Sequence, residues 1–282
     1  MIMGARGSKL SLIQANIVSN LLKNIGIIAE TKAIKTLGDV NLKPISNINE
    51  RGIFSKELNR HVIDGDIDAA VHSMKDLDTE LENDLEISAI LERGAVEDVL
   101  VSKWDIESFP EHYKIGTSSI RRKMFLKHYR PEIEIVDIRG NVDTRIRKYN
   151  ENEVNGIIVA KAGLDRLNLQ VQYTVLDKRI FVPQANQGAI AVIARKDSES
   201  SKILKKLDHL ETRISCMIER EILSILKAGC HAPIGIYSWI QDSQINLQVS
   251  EISEDSKSRK DLFLKKHVSE QKELIREFKK RW

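Results

Sequence analysis

The feature that most constrains the fold is a strand–turn–helix pattern that repeats between residues 114 and 167. The predicted strands are short and apolar, and they lie at 114–116, 133–138 and 156–160. A turn and then a helix follow each of them, and the predicted helices lie at 120–129, 142–149 and 162–167. Strands that alternate with helices in this way form parallel sheets with the helices on their faces. The repeat therefore predicts an α/β fold.

The residues before this repeat predict a second unit of the same kind. Its strands are expected at 2–5, 27–35, 67–71 and 85–91, and its helices at 10–22 and 55–64. The chain is expected to cross to the repeat between 91 and 102, where a strand at 99–101 lies, and to return within the apolar stretch 181–193. Residues 196–210 are predicted to be helical, and the polar stretch 41–52 is predicted to be a mobile surface loop.

The C-terminal residues predict a separate, smaller α+β unit. It contains helices at 212–227 and 268–280 and strands at 234–240 and 245–252. The predicted domains are therefore 1–94 together with 186–208, then 95–185, and finally 209–282.

Polar side chains follow two of the predicted strands in the first unit. Arg6 and Ser8 lie where the first strand runs into a helix, a place where backbone N–H groups favour an anion. The sequence His72-Ser73-Met74-Lys75-Asp76 ends another strand, and such a cluster is typical of an α/β active site. A solvated arginine on a turn and a salt-bridged turn remain the simpler alternatives at these two places.

Arginines mark every strand-to-helix junction of the repeat. They are Arg121, Arg122, Arg139, Arg145 and Arg166. In a parallel sheet these junctions share one edge, and five arginines there favour a ligand that carries several carboxylates or phosphates. A bound phosphate group normally comes with a glycine-rich loop such as a Walker motif or G-x-G-x-x-G, and neither motif is present. Carboxylates are therefore the better prediction.

Composition narrows the possible partners and the compartment. Lys plus Arg total 44 and Asp plus Glu total 41, so the net charge of +3 is too balanced to indicate bulk nucleic-acid binding. No apolar run is long enough for a signal-peptide core or a membrane span, and we expect no membrane partner. The two cysteines, Cys216 and Cys230, form neither a disulfide framework nor a recognisable zinc site, so we expect no metal and a cytoplasmic location.

Cys230 lies in the loop Lys227-Ala228-Gly229-Cys230-His231-Ala232-Pro233-Ile234-Gly235, where glycines and proline end a preceding helix. A thiol in such a loop is either a packing residue or a nucleophile and attachment point. Free cysteine is usually buried, which favours packing when the loop is taken alone.

Several short motifs lie along nearly the whole chain. In the first half they are Ala5-Arg6-Gly7-Ser8 with Gln14-Ala15, Gly38-Asp39, Gly52-Ile53-Phe54-Ser55-Lys56-Glu57-Leu58, Asp68-Ala69-Ala70-Val71-His72-Ser73-Met74-Lys75-Asp76 and Gly116-Thr117-Ser118-Ser119-Ile120-Arg121-Arg122. In the second half they are Ile138-Arg139-Gly140-Asn141-Val142-Asp143-Thr144-Arg145, Ala162-Gly163-Leu164-Asp165-Arg166-Leu167, Gln187-Gly188-Ala189 and Gly229-Cys230-His231-Ala232-Pro233-Ile234-Gly235. Together these motifs resemble those of one family, porphobilinogen deaminase (hydroxymethylbilane synthase), and they occur in the family's order.

The resemblance implies two periplasmic-binding-protein-like (type II) domains that form a cleft and a small C-terminal domain that carries the cysteine. It also implies a transferase of tetrapyrrole (haem) biosynthesis, expected to be a monomer. Such an enzyme joins four molecules of porphobilinogen into linear hydroxymethylbilane and releases ammonia at each addition. A dipyrromethane cofactor, held by a thioether to Cys230, serves as the primer, and this expectation reverses the preference for a packing role of Cys230.

Site residues follow from the resemblance position by position. Asp76 matches the catalytic aspartate, which would stabilise the azafulvene cation left when ammonia departs. The residues expected to bind the cofactor are Ser73, Lys75, Thr117, Ser119, Arg121, Arg122 and Arg145. The residues expected to bind the incoming substrate or the growing chain are Arg6, Ser8, Gln14, Phe54, Arg139 and Arg166, together with Arg145.

The chain departs from the family pattern at several positions. Lys9 replaces a usual proline, Leu37 a usual arginine, Arg51 a common lysine and Asn186 the first glycine of a usual Gly-Gln-Gly, and the C-terminal domain is short. These departures bear on the loop 41–52 and on turnover rather than on the reaction class. Two alternatives remain open at this point: a non-catalytic anion-binding protein, and an inactive paralogue with the same fold.

Overall fold

The computed structural model describes residues 1–34, 53–228 and 232–282. The strands, in chain order, are β1 Ile2–Arg6, β2 Glu30–Ile34, β3 Ala69–Ser73, β4 Leu85–Ile90, β5 Asp98–Val101, β6 Lys114–Gly116, β7 Glu134–Val136, β8 Gly156–Ala160, β9 Tyr173–Val175, β10 Ile190–Arg195, β11 Ile234–Gln241, β12 Gln244–Ile252 and β13 Arg259–His267. The α-helices are α1 Lys9–Asn24, α2 Ile53–Asp64, α3 Ile120–Tyr129, α4 Val142–Asn150, α5 Lys161–Leu167, α6 Glu199–Leu204, α7 Leu210–Ile225 and α8 Gln271–Arg281.

The chain divides into two compact units, each made of two segments. The first contains Met1–Arg93 and Ala189–Arg213, and the second contains Gly94–Gly188 and Ile214–Trp282. The divisions at 93/94 and 188/189 fall inside the stretches where the sequence predicts the chain to cross. The three domains predicted above stay a prediction.

The first unit is built on a five-stranded sheet with the order β2-β1-β3-β10-β4. β1 pairs in parallel with both β2 and β3, while β10 runs antiparallel to β3 and β4. Val18 and Leu22 repeat at helical spacing on α1 and pack against Val71 and Val192 of the sheet in one buried cluster. The strands that end at Arg6 and Ser73 therefore present their last residues at one edge of the sheet.

The second unit contains a five-stranded sheet with the same plan, in the order β7-β6-β8-β5-β9. Here β6 is the central parallel strand, and β5 runs antiparallel to β8 and β9. In both sheets the antiparallel strand, β10 or β5, is the one that follows a crossing of the chain. Its first residues therefore lie at the edge where the parallel strands end.

The C-terminal part of the second unit is a three-stranded antiparallel sheet, β11-β12-β13. Apolar residues alternate along its strands and pack against α7 and α8, with Leu247, Leu264 and Phe278 among the buried members. The predicted α/β class, two α/β sheets plus a small α+β C-terminal part, is confirmed. No helix in the described residues is long and apolar enough to cross a membrane.

The structure differs from the predicted elements in several places, each for a local reason. The stretch 181–193 is a strand only from Ile190 onward, because Asn186 and Gly188 both adopt positive φ and interrupt the ladder. The predicted helix 196–210 is divided into α6 and a short 3-10 turn. β13 is absent from the prediction because lysines outnumber its two inward leucines, Leu262 and Leu264, although their period-2 spacing does indicate a strand.

Candidate functional site

The carboxyl edge of the first sheet brings together several of the predicted site residues. Arg6 ends β1 and Ser73 ends β3, and Lys75 and Asp76 follow in a 3-10 turn, Met74–Asp76. Ile190 of β10 pairs with Ser73, and the Met74 N–H donates to the carbonyl of Ala189 at 3.0 Å. These contacts fix the start of the turn. The Asp76 side chain is exposed, so its carboxylate is open to solvent beyond the end of the strand.

Ser8 and Gln14 position helix α1 against this edge. The Ser8 hydroxyl caps α1 and accepts a hydrogen bond from the Ser11 N–H at 3.3 Å. Gln14 is buried one turn farther along, and its amide nitrogen lies 2.8 Å from the hydroxyl of Ser73. Helix α1 is therefore tied to the strand that leads to Asp76.

His72 precedes these residues and is buried behind the same edge. Its Nε2 lies 3.0 Å from the side-chain oxygen of Asn59, whose amide nitrogen donates to Glu82 at 3.1 Å. Burial, the larger cause, and the nearby charge of Arg6 together lower the pKa of His72 to about 3. The imidazole is therefore neutral at physiological pH and donates its Nε2–H to Asn59.

The carboxyl edge of the second sheet holds a buried ion cluster around Asp98. Because β5 is antiparallel, Asp98 pairs with Ala160, the last residue of β8, and so it lies at this edge. Arg121 Nη2 donates to one Asp98 oxygen at 2.6 Å, and Arg122 donates to the other through Nη2 at 2.7 Å and Nε at 3.1 Å. Gln187 Nε2 donates to the latter oxygen at 2.9 Å.

Each guanidinium group also donates to one backbone carbonyl of a neighbouring segment. Arg121 Nη1 donates to the Val182 carbonyl at 2.8 Å, and Arg122 Nη1 donates to the Ile158 carbonyl at 3.1 Å. The Nε of Arg121 makes no hydrogen bond to the residues that the structure describes. Among the described residues, this Nε is therefore a buried donor without a hydrogen-bond partner.

The cluster carries more positive than negative charge. Asp98 is fully buried, and Arg121 and Arg122 are 2% and 6% exposed. Burial alone would raise the pKa of Asp98, but the charges of Arg121 and Arg122 outweigh burial and hold that pKa well below its ordinary value. Burial lowers the pKa of Arg121, and Asp98 opposes this effect. Two guanidinium groups share one carboxylate, so a further anion at this edge is electrostatically favoured.

The other predicted residues of the second unit lie at the same edge with different local roles. Ser119 caps α3, and the buried Thr117 accepts a hydrogen bond from the Ser119 N–H at 3.3 Å. Arg139 is exposed after β7, and Arg145 Nε donates to the Gly140 carbonyl at 2.8 Å. Arg166 is half-buried and donates to the Gly188 carbonyl at 2.5 Å, and burial lowers its pKa.

Four of the sequence predictions fall outside the described residues. They are Cys230 with its immediate neighbours, the loop 41–52, the motif Gly38-Asp39 with Leu37 before it, and the side chain of Phe54. The other cysteine, Cys216, is fully buried in the middle of α7, which fits a packing role. Within the described ranges, His, Cys, Asp and Glu side chains form no group of three or more that could hold a metal ion.

Sequence reasoning did not single out Asp98 or Gln187 as site residues. A signal for Asp98 was present, because a carboxylate directly before the apolar run Val99-Leu100-Val101 begins a buried strand. Such a carboxylate needs a cationic partner. The signal for Gln187 was its place in the family motif Gln187-Gly188-Ala189, but its partners are fixed only by the turn that carries it.

Comparison with known proteins identifies the family. Residues 1–203 match the family model described as "Porphobilinogen deaminase, dipyromethane cofactor binding domain", and residues 213–277 match "Porphobilinogen deaminase, C-terminal domain". Proteins named "Probable porphobilinogen deaminase" from Saccharolobus islandicus and Sulfurisphaera tokodaii are each 47% identical to this chain, over 234 and 235 residues. The protein of that name from Thermoplasma volcanium is 44% identical over 236 residues.

These matches span most of both partners. They cover 82% of this chain for S. islandicus and 83% for the other two, and 80% of each relative. Relatives with this name do not favour the non-catalytic alternative. The chain belongs to the porphobilinogen deaminase family, transferases of tetrapyrrole biosynthesis that bind a dipyrromethane cofactor.

Proposed function

We propose that this chain joins four porphobilinogen molecules, one after another, into the linear tetrapyrrole hydroxymethylbilane. At each addition the C–N bond of the aminomethyl group breaks and ammonia leaves. The freed carbon bonds to the α-position of another pyrrole, which gives up a proton, and water finally releases the product.

The observation that carries this proposal is the excess positive charge of the cluster formed by Asp98, Arg121 and Arg122. Porphobilinogen has an acetate and a propionate side chain, so each addition increases the number of carboxylates that must be bound. Arginine offers forked donors that match carboxylates. Arg121 and Arg122 are held with one carboxylate between them, and the Nε of Arg121 has no hydrogen-bond partner in the part of the chain that the structure describes.

The residues present fit a dipyrromethane cofactor anchored at Cys230. When bound, the cofactor supplies the pyrrole carbon to which the first substrate is joined. Arg121 and Arg122 would hold its carboxylates, with Ser73, Lys75, Thr117, Ser119 and Arg145 as further contacts. The side chains proposed to hold the incoming substrate and the growing chain are Arg6, Ser8, Gln14, Phe54, Arg139, Arg145 and Arg166. We further propose that the two α/β domains form a cleft and that the protein is a cytoplasmic monomer.

Asp76 is the proposed catalytic residue. Loss of ammonia leaves positive charge on the substrate pyrrole, and a carboxylate close to the pyrrole N–H stabilises that charge and can move a proton. The position of Asp76 supports this role, because the 3-10 turn places its exposed carboxylate directly after the strand that ends at Ser73.

Asp76→Asn should lower kcat by about a hundredfold or more, since general acid–base and charge stabilisation contribute about 10²–10⁴. Release of ammonia and formation of hydroxymethylbilane measure the rate. Asp78→Asn is the matched control, because Asp78 lies two residues away and pairs with Lys56 at 3.6 Å. Turnover of Asp76→Asn close to that of the control would refute the assignment.

The experiment that tests the proposed function is the intact mass of the purified protein. We expect a mass above 32.1 kDa by two porphobilinogen units less two ammonias. The increment should disappear in Cys230→Ser and persist in Cys216→Ser. A wild-type protein that has no increment, and gains none after incubation with porphobilinogen, would overturn the proposal.

A further inference from the structure

Residues 186–188 form a turn that hydrogen bonds hold on two sides. Asn186 and Gly188 adopt positive φ, at 62° and 87°, and the Gln187 N–H donates to the Gln184 carbonyl at 3.0 Å. Positive φ is uncommon for a residue other than glycine, and asparagine tolerates it better than most. The backbone conformation of Asn186 is therefore unfavourable by itself, and the hydrogen bonds of the turn stabilise it.

Asn186 binds the C-terminal part of the second unit. Its side-chain nitrogen donates to the Cys216 carbonyl at 2.9 Å and lies 3.3 Å from Glu219 Oε2. The Asn186 backbone N–H donates to the same Glu219 oxygen at 2.6 Å, and Ser238 N–H donates to the other at 2.7 Å. Asn186 and Glu219 are both buried, so these hydrogen bonds form away from water.

The next two residues bind the α/β part of the same unit. Gln187 donates to Asp98 at 2.9 Å and to the Val96 carbonyl at 2.8 Å, and it accepts from Arg122 at 3.4 Å. The carbonyl of Gly188 accepts from the Gly94 N–H at 3.1 Å and from Arg166. One short turn thus connects α7 with the buried arginine cluster.

We propose that Asn186 is a positioning residue for the cofactor. The Asn186 amide fastens the turn to α7 and Glu219, and the turn holds Gln187 against Asp98 and Arg122. Helix α7 ends at Ile225, five residues before Cys230 in the sequence. The hydrogen bonds of Asn186 therefore fix the arginine pair relative to the helix that leads to the proposed anchor. This inference rests on the proposed function, and it concerns a position where the family usually has glycine.

Two substitutions separate the side-chain bond from backbone strain. Asn186→Gly removes the amide and relieves the positive φ, whereas Asn186→Ala removes the amide and keeps the strain. Asn168→Gly is the matched control, because Asn168 has a φ of 50° at the end of α5 and is exposed. If the amide matters for cofactor positioning, both Asn186 variants should behave alike in cofactor loading although their stabilities differ.

The experiment follows the loading of cofactor-free protein with porphobilinogen by intact mass, alongside urea unfolding of the same samples. We expect both Asn186 variants to load about tenfold more slowly than wild type, while Asn168→Gly loads normally and Asn186→Gly unfolds near the wild-type midpoint. Loading of Asn186→Gly at the wild-type rate would overturn the inference. Failure of wild type to load at all would instead reject the proposed function.

Discussion

Removing the buried imidazole of His72 should change how the stability of the first unit depends on pH. The pKa of His72 is about 3 in the folded chain and 6.5 for an unperturbed histidine. Between these pH values the unfolded state binds a proton that the folded state does not. Stability is therefore lost as the pH falls below about 6.5, and the loss from this group is complete near pH 3.

The size of the effect follows from these two pKa values. pH 5.0 lies about 1.5 units below the pKa of the unfolded histidine. Proton binding therefore stabilises the unfolded state by about 2 kcal/mol at this pH. At pH 7.5 the same term is below about 0.1 kcal/mol. The result at pH 5.0 depends almost wholly on the unfolded pKa, so any folded pKa below about 4 gives nearly the same loss.

His72→Gln is the informative variant, because a glutamine amide can still donate to Asn59 but does not titrate. All three tryptophans, Trp104, Trp239 and Trp282, lie in the second unit, so their fluorescence does not report on the first. Hydrogen–deuterium exchange of peptides that cover β3, corrected for the intrinsic rate, is the suitable assay.

Between pH 7.5 and pH 5.0 the opening free energy of β3 should fall by about 2 kcal/mol more in wild type than in His72→Gln. His112→Gln, which removes an exposed histidine, should follow wild type. Parallel pH profiles for wild type and His72→Gln would refute the reasoning.

Two further predictions concern the stability of the second unit, measured by urea unfolding with tryptophan fluorescence. Asp98→Asn leaves two buried arginines without their carboxylate and should cost about 3–5 kcal/mol, whereas a loss below about 1 kcal/mol would show that the cluster is not held by this charge. Gly188→Ala should cost about 2 kcal/mol or more, because φ is 87° and the added Cβ would lie 2.6 Å from the Gly94 carbonyl oxygen. The control Gly94→Ala lies in the same unit, is exposed and has no positive φ, and its Cβ would lie 3.3 Å from the movable end of the Arg166 side chain. It should cost much less than Gly188→Ala, and equal losses in the two variants would contradict this account.

The first residue of β5 shows where sequence reasoning reached its limit at the site. The strand itself was predictable from Val99-Leu100-Val101, and the position of the arginines at one edge of a parallel sheet was predictable from the strand-to-helix junctions. What the sequence does not reveal is that β5 enters the sheet antiparallel, which brings Asp98 to the same edge as Arg121 and Arg122. Strand direction depends on pairing between distant segments, so local pattern cannot supply it.

Asn186 makes the same point for a single residue. In the sequence it is only a departure from a usual glycine, and its positive φ and its bonds to Cys216 and Glu219 become visible only in the folded chain. By itself the sequence determined the α/β class, the family and the residues available for anion binding, since periodicity and motif order are properties of the chain. Tertiary structure decided which charges are buried, which share a partner and which strand ends meet, because burial and hydrogen bonding depend on contacts between residues far apart in sequence.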